Sequence, residues 1–168
     1  MDDGDGQMLT RVAAYQWGGD AAALFDGDLE VTHTSSGRPR QVRGPAGRLA
    51  TYGTDGRFTL GVAGGRRLNA ALDRPDYRVV VGSESEPYVR EGRNAFAKFV
   101  VEADPTIRPG DEVLVVHEDG DLLAVGRAEL GGGTMLDFET GMAVKVREGA
   151  DLDGTTRRVG LREREDVE

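Results

Sequence analysis

The residues best suited to ligand chemistry lie in one short basic segment, REGRNAFAK, residues 90–98. Its side chains Arg90, Arg93 and Lys98 are long and cationic, so they can reach phosphate oxygens. Gly92 has no side chain and lets a backbone approach a ligand closely. We assign the aromatic residue of the segment, Phe96, to the hydrophobic core. Charge and spacing leave two interpretations open, a contact with nucleic-acid phosphates and an ordinary solvated surface.

A second candidate anion site is the glycine-rich stretch GVAGG, residues 61–65, which precedes a predicted helix at 66–72. Arg66 and Arg67 would lie in the first turn of that helix, where positive charge opposes the helix dipole. This placement is poor for helix stability but suits a phosphate held at the amide end of the helix. The three glycines at 131–133 lack the lysine and the spacing of a phosphate-binding loop, so we interpret them as a flexible connector.

Residue types for other chemistries are missing or scattered. The chain has no Cys, which excludes disulfides, thiolate zinc sites and cysteine nucleophiles. Its two histidines, His33 and His117, lie far apart in the sequence, and no metal-binding spacing joins them. No serine stands in the sharp turn typical of hydrolase nucleophiles. We therefore predict no metal site, no cofactor and no catalytic residue.

The composition is that of an acidic chain of 168 residues, with 21 basic and 30 acidic side chains and a net charge of -9. Only Lys98 and Lys145 are lysines. Acid excess with few lysines suits a salt-rich cytosol, because hydrated carboxylates keep a protein dissolved. We expect a halophilic source, the alternative being an ordinary GC-rich genome. The acidic start of the chain is unlike a signal peptide, and no apolar run reaches membrane-spanning length, so we expect a cytoplasmic protein without membrane contact.

The charge divides the chain into four segments. Residues 1–6 form an acidic N-terminus. Residues 7–74 carry nine arginines and six acids, whereas residues 75–149 carry eight basic and fifteen acidic residues. Residues 150–168 are polar and charged and are expected to form a disordered tail. The change of sign near Pro75 predicts two domains that meet there.

Turn signals and apolar periodicity predict the elements of both domains. In the first domain, a short helix at 21–25 and a closing helix at 66–72 flank an antiparallel meander of strands at 29–34, 38–43, 48–52 and 57–62. In the second domain, helical turns at 83–90 and 134–139 interrupt strands at 77–81, 95–101, 112–116, 122–130 and 143–147. The fold class is therefore α+β, with a small α+β domain followed by a β-barrel that has one or two short helices.

The second domain resembles the PUA domain, an RNA-binding barrel named after pseudouridine synthases and archaeosine transglycosylases. The segments that carry the resemblance are VVV at 79–81, VREGRNAFAKFV at 89–100, ADPTIRPGDEVLVV at 103–116, LLAVGRA at 122–128, MLDF at 135–138 and GMAVKVR at 141–147. The first domain, with AYQWG at 14–18 and DGRFTL at 55–60, is similar to the small domain that precedes the PUA domain in archaeal archaeosine tRNA-guanine transglycosylase and archaeosine synthase.

The resemblance implies that the chain grips the acceptor stem and 3′ end of tRNA, or another structured RNA, through shape and phosphate contacts. The RNA-binding residues that it implies in the PUA domain are Arg90, Gly92, Arg93, Asn94, Lys98, Arg108, Lys145 and Arg147. The positively charged first domain would extend the grip with Arg38, Arg40, Arg43, Arg66 and Arg67.

The catalytic parts of the family have no counterpart in this chain. The barrel with its Asp nucleophile and Cys-bound zinc is missing, and so is the Cys-containing motif of archaeosine synthase. We therefore predict a non-catalytic RNA-binding protein connected with tRNA modification. The alternative is a protein–protein adaptor or subunit that docks onto a tRNA-modifying enzyme, and the acidity of residues 75–149 favours it.

Overall fold

The computed structural model describes residues 3–153, so the part of the predicted tail from residue 154 onward lies outside the described residues. The first domain, residues 3–74, begins with helix α1 (Asp3–Trp17) and a 3-10 helix (Gly19–Phe25). Helix α2 (Val62–Ala71) closes the domain. Between them lies a four-stranded antiparallel sheet in sequential order, β1 (Glu30–His33), β2 (Pro39–Gly44), β3 (Gly47–Tyr52) and β4 (Phe58–Leu60). The predicted meander is confirmed.

Helix α1 extends into the segment 1–6 that was expected to be a separate acidic terminus. Its buried stripe consists of Leu9, Ala13 and Trp17, and the spacing of four residues places them on one helix face. Near the start of the helix, Asp5 Oδ2 lies 2.8 Å from Nε2 of His33 on β1. The helix therefore ties the first residues of the chain to the sheet.

Helix α2 begins at Val62 and not at the predicted residue 66, so Gly64 and Gly65 lie inside it. A Cβ atom on Gly64 would lie 1.9 Å from the carbonyl oxygen of Leu49, and one on Gly65 would lie 2.5 Å from Cγ1 of Val125. The glycines thus let the helix pack closely on β3 and on the second domain. This packing outweighs the roughly 1 kcal/mol by which each glycine disfavours a helix.

The second domain, residues 75–153, is built on a nearly closed six-stranded sheet. Its strands are β5 (Arg78–Val81), β6 (Ala95–Phe96), β7 (Val100–Ala103), β8 (Glu112–His117), β9 (Leu122–Ala128) and β10 (Met142–Gly149). Their order in the sheet is β6-β10-β9-β8-β5-β7. Strand β5 is buried along its whole length and pairs in parallel with β8, as expected for a strand too apolar for an exposed edge. Two short helices, α3 (Glu86–Arg90) and α4 (Gly132–Met135), lie between the strands.

Two predicted elements of this domain differ in the structure. The strand at 95–101 is split by a 3-10 helix (Ala97–Phe99), because β6 pairs with β10 whereas β7 pairs with β5 at the other edge of the sheet. The helix predicted at 134–139 is α4, which starts within the three glycines. A Cβ atom on Gly132 would lie 1.8 Å from the carbonyl oxygen of Asp104. The glycines therefore form the closely packed N-terminus of α4, and the prediction of a flexible connector is wrong.

One of two buried hydrophobic clusters extends across both domains, and the other lies within the second domain. Leu60 and Leu68 of the first domain belong to the same buried cluster as Leu114 and Val125 of the second. Several side-chain hydrogen bonds cross the boundary, among them those from Trp17 Nε1 to the Glu112 carbonyl (3.2 Å), from the Tyr77 hydroxyl to the Gln16 carbonyl (2.9 Å) and from the Asn69 amide to the Gly120 carbonyl (2.9 Å). The shared core fixes the two domains against each other, so surfaces to which both contribute are well defined. Within residues 3–153, no helix is both long and apolar enough to cross a membrane.

Candidate nucleic-acid interface

A groove on the second domain brings aromatic and basic side chains together. It has a volume of about 380 Å³ and is formed by β6, the 3-10 helix after it and the segment before β10. Phe96 is 43% exposed, so the prediction that it belongs to the core is wrong. The residues that line the groove are Phe96, Lys98, Phe99, Glu139, Thr140 and Gly141.

Strand geometry explains why Phe96 faces the groove. Successive residues of an extended chain point to opposite faces, and the inward positions are taken by Ala95 and Ala97, which are 1% and 2% exposed. The amide of Ala97 donates to the carbonyl of Gly141 at 2.9 Å, which holds this segment close to the start of β10. Only small side chains fit on the inner face, so the large ring lies on the outer face, and Lys98 of the 3-10 helix lines the same groove.

Two of the predicted cations lie beside aromatic rings. The guanidinium carbon of Arg93 is 5.7 Å from the centroid of the Tyr88 ring, and Nζ of Lys98 is 5.0 Å from that of Phe99. Such cation–π contacts orient a charge without neutralising it. Both side chains are exposed, and within residues 3–153 neither forms an ion pair or a side-chain hydrogen bond. Arg93 and Lys98 therefore remain available to an anion.

The other predicted residues of the basic segment are engaged inside the protein. Arg90 donates to Glu86 at 2.8 Å, and Asn94 Oδ1 accepts a hydrogen bond from the Val146 amide at 2.9 Å. Gly92 has a positive φ of 106°, and its close approach is to the protein itself. A Cβ atom on Gly149 would lie 2.5 Å from the Gly92 nitrogen.

The predicted arginines outside this segment divide into two groups. Arg38 lies 4.4 Å above the Tyr52 ring and donates to the Gly53 carbonyl. Arg67 donates to the carbonyls of Leu24 (3.1 Å) and Asp26 (2.6 Å). Both side chains therefore stabilise the first domain. By contrast, three exposed arginines have no side-chain hydrogen bond or ion pair in the part of the chain that the structure describes, and these are Arg40, Arg43 and Arg108.

The amide end of α2, a predicted phosphate site, is occupied by a carboxylate of the protein. Glu148 Oε1 accepts a hydrogen bond from the Val62 amide at 3.1 Å, and the same carboxylate is paired with Arg48. Arg66 is exposed and lies near Arg90 of the second domain. Partial burial and the positive charge of Arg90 both lower the pKa of Arg66. The structure thus brings Arg66 to the basic segment of the second domain, although the two are far apart in the sequence.

A second cavity, which we call the interdomain cleft, has a volume of about 580 Å³. One wall is the β3–β4 turn of the first domain with Arg57, and the other is formed by Arg127 on β9 and Lys145 on β10. The structure places Lys145 and Arg147, which were predicted to flank the groove, in this cleft. The residues that line it are Gln16, Gly53, Thr54, Asp55, Arg57, Phe58, Thr59, Gly110, Glu112, Arg127, Lys145, Val146 and Arg147.

A buried ion pair closes one side of the interdomain cleft. Glu112 is 5% exposed, and both of its carboxylate oxygens accept hydrogen bonds from Arg147. Its Oε2 also accepts one from the Leu60 amide at 2.7 Å. A β-bulge between Val146 and Glu148 turns the Arg147 side chain toward this carboxylate. Burial raises the pKa of Glu112 to about 7, while the charge of Arg147 and the Leu60 amide oppose the rise.

Ser83, His117 and Asp119 meet at the β8–β9 turn, a cluster that the sequence did not predict. Ser83 Oγ lies 2.9 Å from His117 Nε2, and Asp119 Oδ1 lies 3.1 Å from His117 Nδ1. The Asp119 amide also donates to Nδ1 at 3.3 Å. The His117 ring thus joins Ser83 and Asp119 through contacts at both of its nitrogens, and these contacts stabilise the turn.

The sequence analysis also missed three residues that line the two cavities. Phe96 could have been placed by the alternation Ala95-Phe96-Ala97-Lys98, which puts the ring on the same face as the lysine. Arg57 follows a hairpin turn that the sequence predicts, but the cleft that Arg57 lines exists only because the second domain packs opposite this turn. The position of Arg127 beside Lys145 follows from the strand register of the barrel, which the sequence does not give. Across residues 3–153, no three His, Asp or Glu side chains are grouped so that they could hold a metal ion.

Comparison with known proteins defines the class to which the chain belongs. Residues 77–150 match the PUA domain family, and residues 7–75 match the family described as patch-forming domain C2 of tRNA-guanine transglycosylase. The two matches meet beside the joint predicted at Pro75. The chain is therefore a PUA-domain protein whose first domain belongs to the C2 family.

Relatives with the name tRNA-guanine(15) transglycosylase share this pair of domains. One from Pyrococcus abyssi is 50% identical over 144 residues, which are 85% of this chain and 24% of the relative. One from Methanothermobacter thermautotrophicus is 40% identical over 152 residues, 89% of this chain and 23% of the relative. The chain thus spans about a quarter of the length of these relatives.

A solved structure supports the fold of the whole two-domain unit. The hypothetical protein PH0734.1 from Pyrococcus horikoshii has a TM-score of 0.66 and 24% sequence identity. The match covers 89% of this chain and 92% of that chain. Because the match extends over both domains, the arrangement of the two domains is itself a recurring fold.

Proposed function

We propose that the chain binds tRNA through the groove, as a non-catalytic component of tRNA modification. The observation that carries the proposal is the exposed ring of Phe96 in a groove that also contains Lys98. Arg93, exposed against the Tyr88 ring, belongs to the same basic segment. Aromatic faces stack unpaired bases while cations neutralise phosphates, a combination found in proteins that hold single-stranded RNA. The relatives named tRNA-guanine(15) transglycosylase favour tRNA as the RNA.

The groove suits the unpaired 3′ end of the tRNA. Phe96 offers a ring face on which a base can stack, and Lys98 lies two residues further along the same outward face, where the adjoining phosphate would lie. Glu139 and Thr140 on the opposite side of the groove supply hydrogen-bonding groups for the edge of the base. In this arrangement the protein binds an unstacked nucleotide, whereas the bases of a duplex are stacked on one another and cannot enter the groove.

The duplex next to the 3′ end is held by exposed arginines. Arg40, Arg43 and Arg108 are the members of the predicted set whose guanidinium groups are unengaged within residues 3–153. A-form RNA presents its phosphates and 2′-hydroxyls to such groups without regard to base sequence. The proposed contact surface leaves out the predicted residues whose polar atoms bond inside the protein, namely Arg38, Arg67, Arg90, Asn94 and Arg147.

The finer part of the proposal concerns the partner. We propose that the chain supplies its tRNA-binding end to a tRNA-modifying enzyme. Two observations support this. The relatives that share the two domains are transglycosylases about four times as long as the matched region. In addition, Leu136 and Phe138 of the second domain are 54% and 47% exposed, and exposed apolar side chains of this size mark surfaces that pack against other proteins.

The proposal is tested by the affinity of purified chain for tRNA, with two double variants. Arg93→Ala with Lys98→Ala, the groove variant, removes Lys98 from the groove and the other free cation of the segment 90–98, and it should weaken binding by about tenfold or more, since each lost phosphate contact costs affinity. Arg11→Ala with Arg74→Ala removes the same charge from exposed positions elsewhere and should change affinity by less than about threefold. Unchanged thermal unfolding of both variants shows that the fold is intact. Equal affinity of the two variants would refute the groove assignment.

A further inference from the structure

We propose that the interdomain cleft is a second RNA site, which binds the phosphate backbone of a duplex while the groove holds the 3′ end. The inference rests on the proposed function and extends it to a surface that neither domain possesses alone. Three cations carry it, Arg57 from the first domain and Arg127 and Lys145 from the second. Their positions follow from the register of two strands and from the way in which the domains are joined.

Strand register places two like charges side by side in the interdomain cleft. Lys145 on β10 is the direct cross-strand partner of Arg127 on β9, so both side chains project from the same face, with their backbones about 5 Å apart. Like charges in directly opposite positions destabilise a sheet. Arg127 is partly compensated by Glu129 at 2.9 Å, but Lys145 has no hydrogen bond or ion pair in the described part of the chain. A bound anion would relieve this repulsion.

The first domain adds a third cation from the facing wall. Arg57 follows the β3–β4 turn, and its guanidinium is 48% exposed. Its nearest carboxylate, Asp111, is 3.4 Å away, a long and weak contact that leaves most of the five donors unused. The acid of the same turn, Asp55, accepts a hydrogen bond from the Arg57 amide at 3.0 Å and so is held within its own turn.

The acids of the interdomain cleft are largely neutralised before any ligand enters. Glu112 is paired with Arg147 and buried, so it contributes little negative potential at the surface. The cations that remain exposed are therefore opposed only by the carboxylates of Asp55, Asp111 and Glu129 at the rim. These three carboxylates equal the exposed cations in number, but Asp111 and Glu129 pair with Arg57 and Arg127, which leaves the exposed Lys145 as the unpaired cation of the cleft to which an anion can bind.

Phosphate groups occur both in RNA and in free nucleotides, and the shape of the interdomain cleft favours the first. The cleft is open to solvent between two domains, and two of its cations stand in a row across adjacent strands. A row of charges suits successive phosphates of a strand, whereas a terminal triphosphate is held by a closed loop of amides around it. We therefore assign the cleft to the RNA backbone, where contacts are independent of base sequence.

The test measures tRNA affinity over a range of salt concentrations, with tRNA that has or lacks its unpaired 3′ nucleotides. The cleft variant, Arg127→Ala with Lys145→Ala, should bind both tRNAs about tenfold more weakly and reduce the slope of log affinity against log salt by about 2. The groove variant, Arg93→Ala with Lys98→Ala, should lose its preference for the tRNA with the 3′ end. The matched control is Arg11→Ala with Arg74→Ala, and millimolar ATP is added in a separate arm.

Each outcome decides between the proposals. If the cleft variant has the affinity and salt slope of the control while the groove variant is weakened, the cleft proposal is wrong and the proposed function stands. If ATP displaces tRNA from the parent chain but not from the cleft variant, the cleft is a nucleotide site and the RNA assignment is wrong. If the parent chain does not bind tRNA, both the proposed function and the cleft proposal are wrong.

Discussion

The groove and the interdomain cleft both present unpaired cations, yet their surroundings differ. In the groove, Lys98 lies among the aromatic rings of Phe96 and Phe99, whereas in the cleft Lys145 lies next to Arg127 and a buried ion pair. An aromatic surface favours an unstacked base, but cations alone bind the backbone of any strand. In the two proposals, the two lysines of this lysine-poor chain bind two different parts of one RNA.

The comparison also separates residues that bind from residues that hold the site together. Arg127 and Arg147 are both exposed and line the same cleft, but Arg127 pairs with the partly exposed Glu129, whereas Arg147 pairs with the buried carboxylate of Glu112. Charge alone does not distinguish the two arginines. The two arginines differ in the burial of their carboxylate partners, so their removal should have different effects on stability.

The largest expected effect is on stability, from the loss of the Glu112–Arg147 pair. Arg147→Met leaves a buried carboxylate with only the Leu60 amide as partner, and we expect a loss of about 3 kcal/mol in the free energy of unfolding. Arg127→Met removes an arginine that is exposed at the surface and should cost less than about 1 kcal/mol. Urea unfolding followed by circular dichroism measures both. Similar losses for the two variants would show that Arg147 does not hold the domains together.

The next effect concerns the aromatic character of the groove. Phe96→Ala should weaken binding of intact tRNA by about 1 to 3 kcal/mol, the usual contribution of one stacked base. The same variant should bind tRNA without its unpaired 3′ nucleotides as well as the parent chain does. Tyr15→Ala, which removes an aromatic ring that is 95% exposed on α1, is the control. A loss that is equal for both tRNAs would remove the distinction between groove and cleft.

The smallest effect is a pH dependence that belongs to the interdomain cleft alone. The pKa of Glu112 is about 7 in the folded chain, whereas the ordinary value for a glutamate side chain is 4.5. The folded state therefore binds the proton more tightly than the unfolded state does. The stability that this proton contributes is complete below pH 4.5 and is lost as the pH rises through 7. Between pH 6 and pH 8 the free energy of unfolding should fall by about 1 kcal/mol more in the parent than in Glu112→Gln. Parallel pH profiles for the two chains would contradict the raised pKa.

Much of the fold could be predicted because its causes are local. The meander follows from turns such as Asp55-Gly56, and β5 follows from an apolar run that only a buried strand tolerates. The start of α2 could not be predicted, because Gly64 and Gly65 lie in the helix only through contacts with Leu49 and Val125. Intrinsic propensity disfavours a helix there, and tertiary packing outweighs it.

The candidate site was predictable in part for the same reason. Arg93 and Lys98 were identified from a contiguous segment, and the structure leaves both exposed. Phe96 was placed in the core because large rings are usually buried, but the alanines on either side occupy the inner face. The interdomain cleft depends on strand register, on a bulge at Arg147 and on the joining of two domains, none of which a local pattern encodes.

Binding of tRNA by the groove is tested best by comparing the affinity of tRNA for Arg93→Ala with Lys98→Ala with its affinity for Arg11→Ala with Arg74→Ala. The two variants carry the same net charge, so any difference reports position and not overall electrostatics. We predict that the groove variant binds about tenfold or more weakly than the control. Indistinguishable affinities would contradict the account.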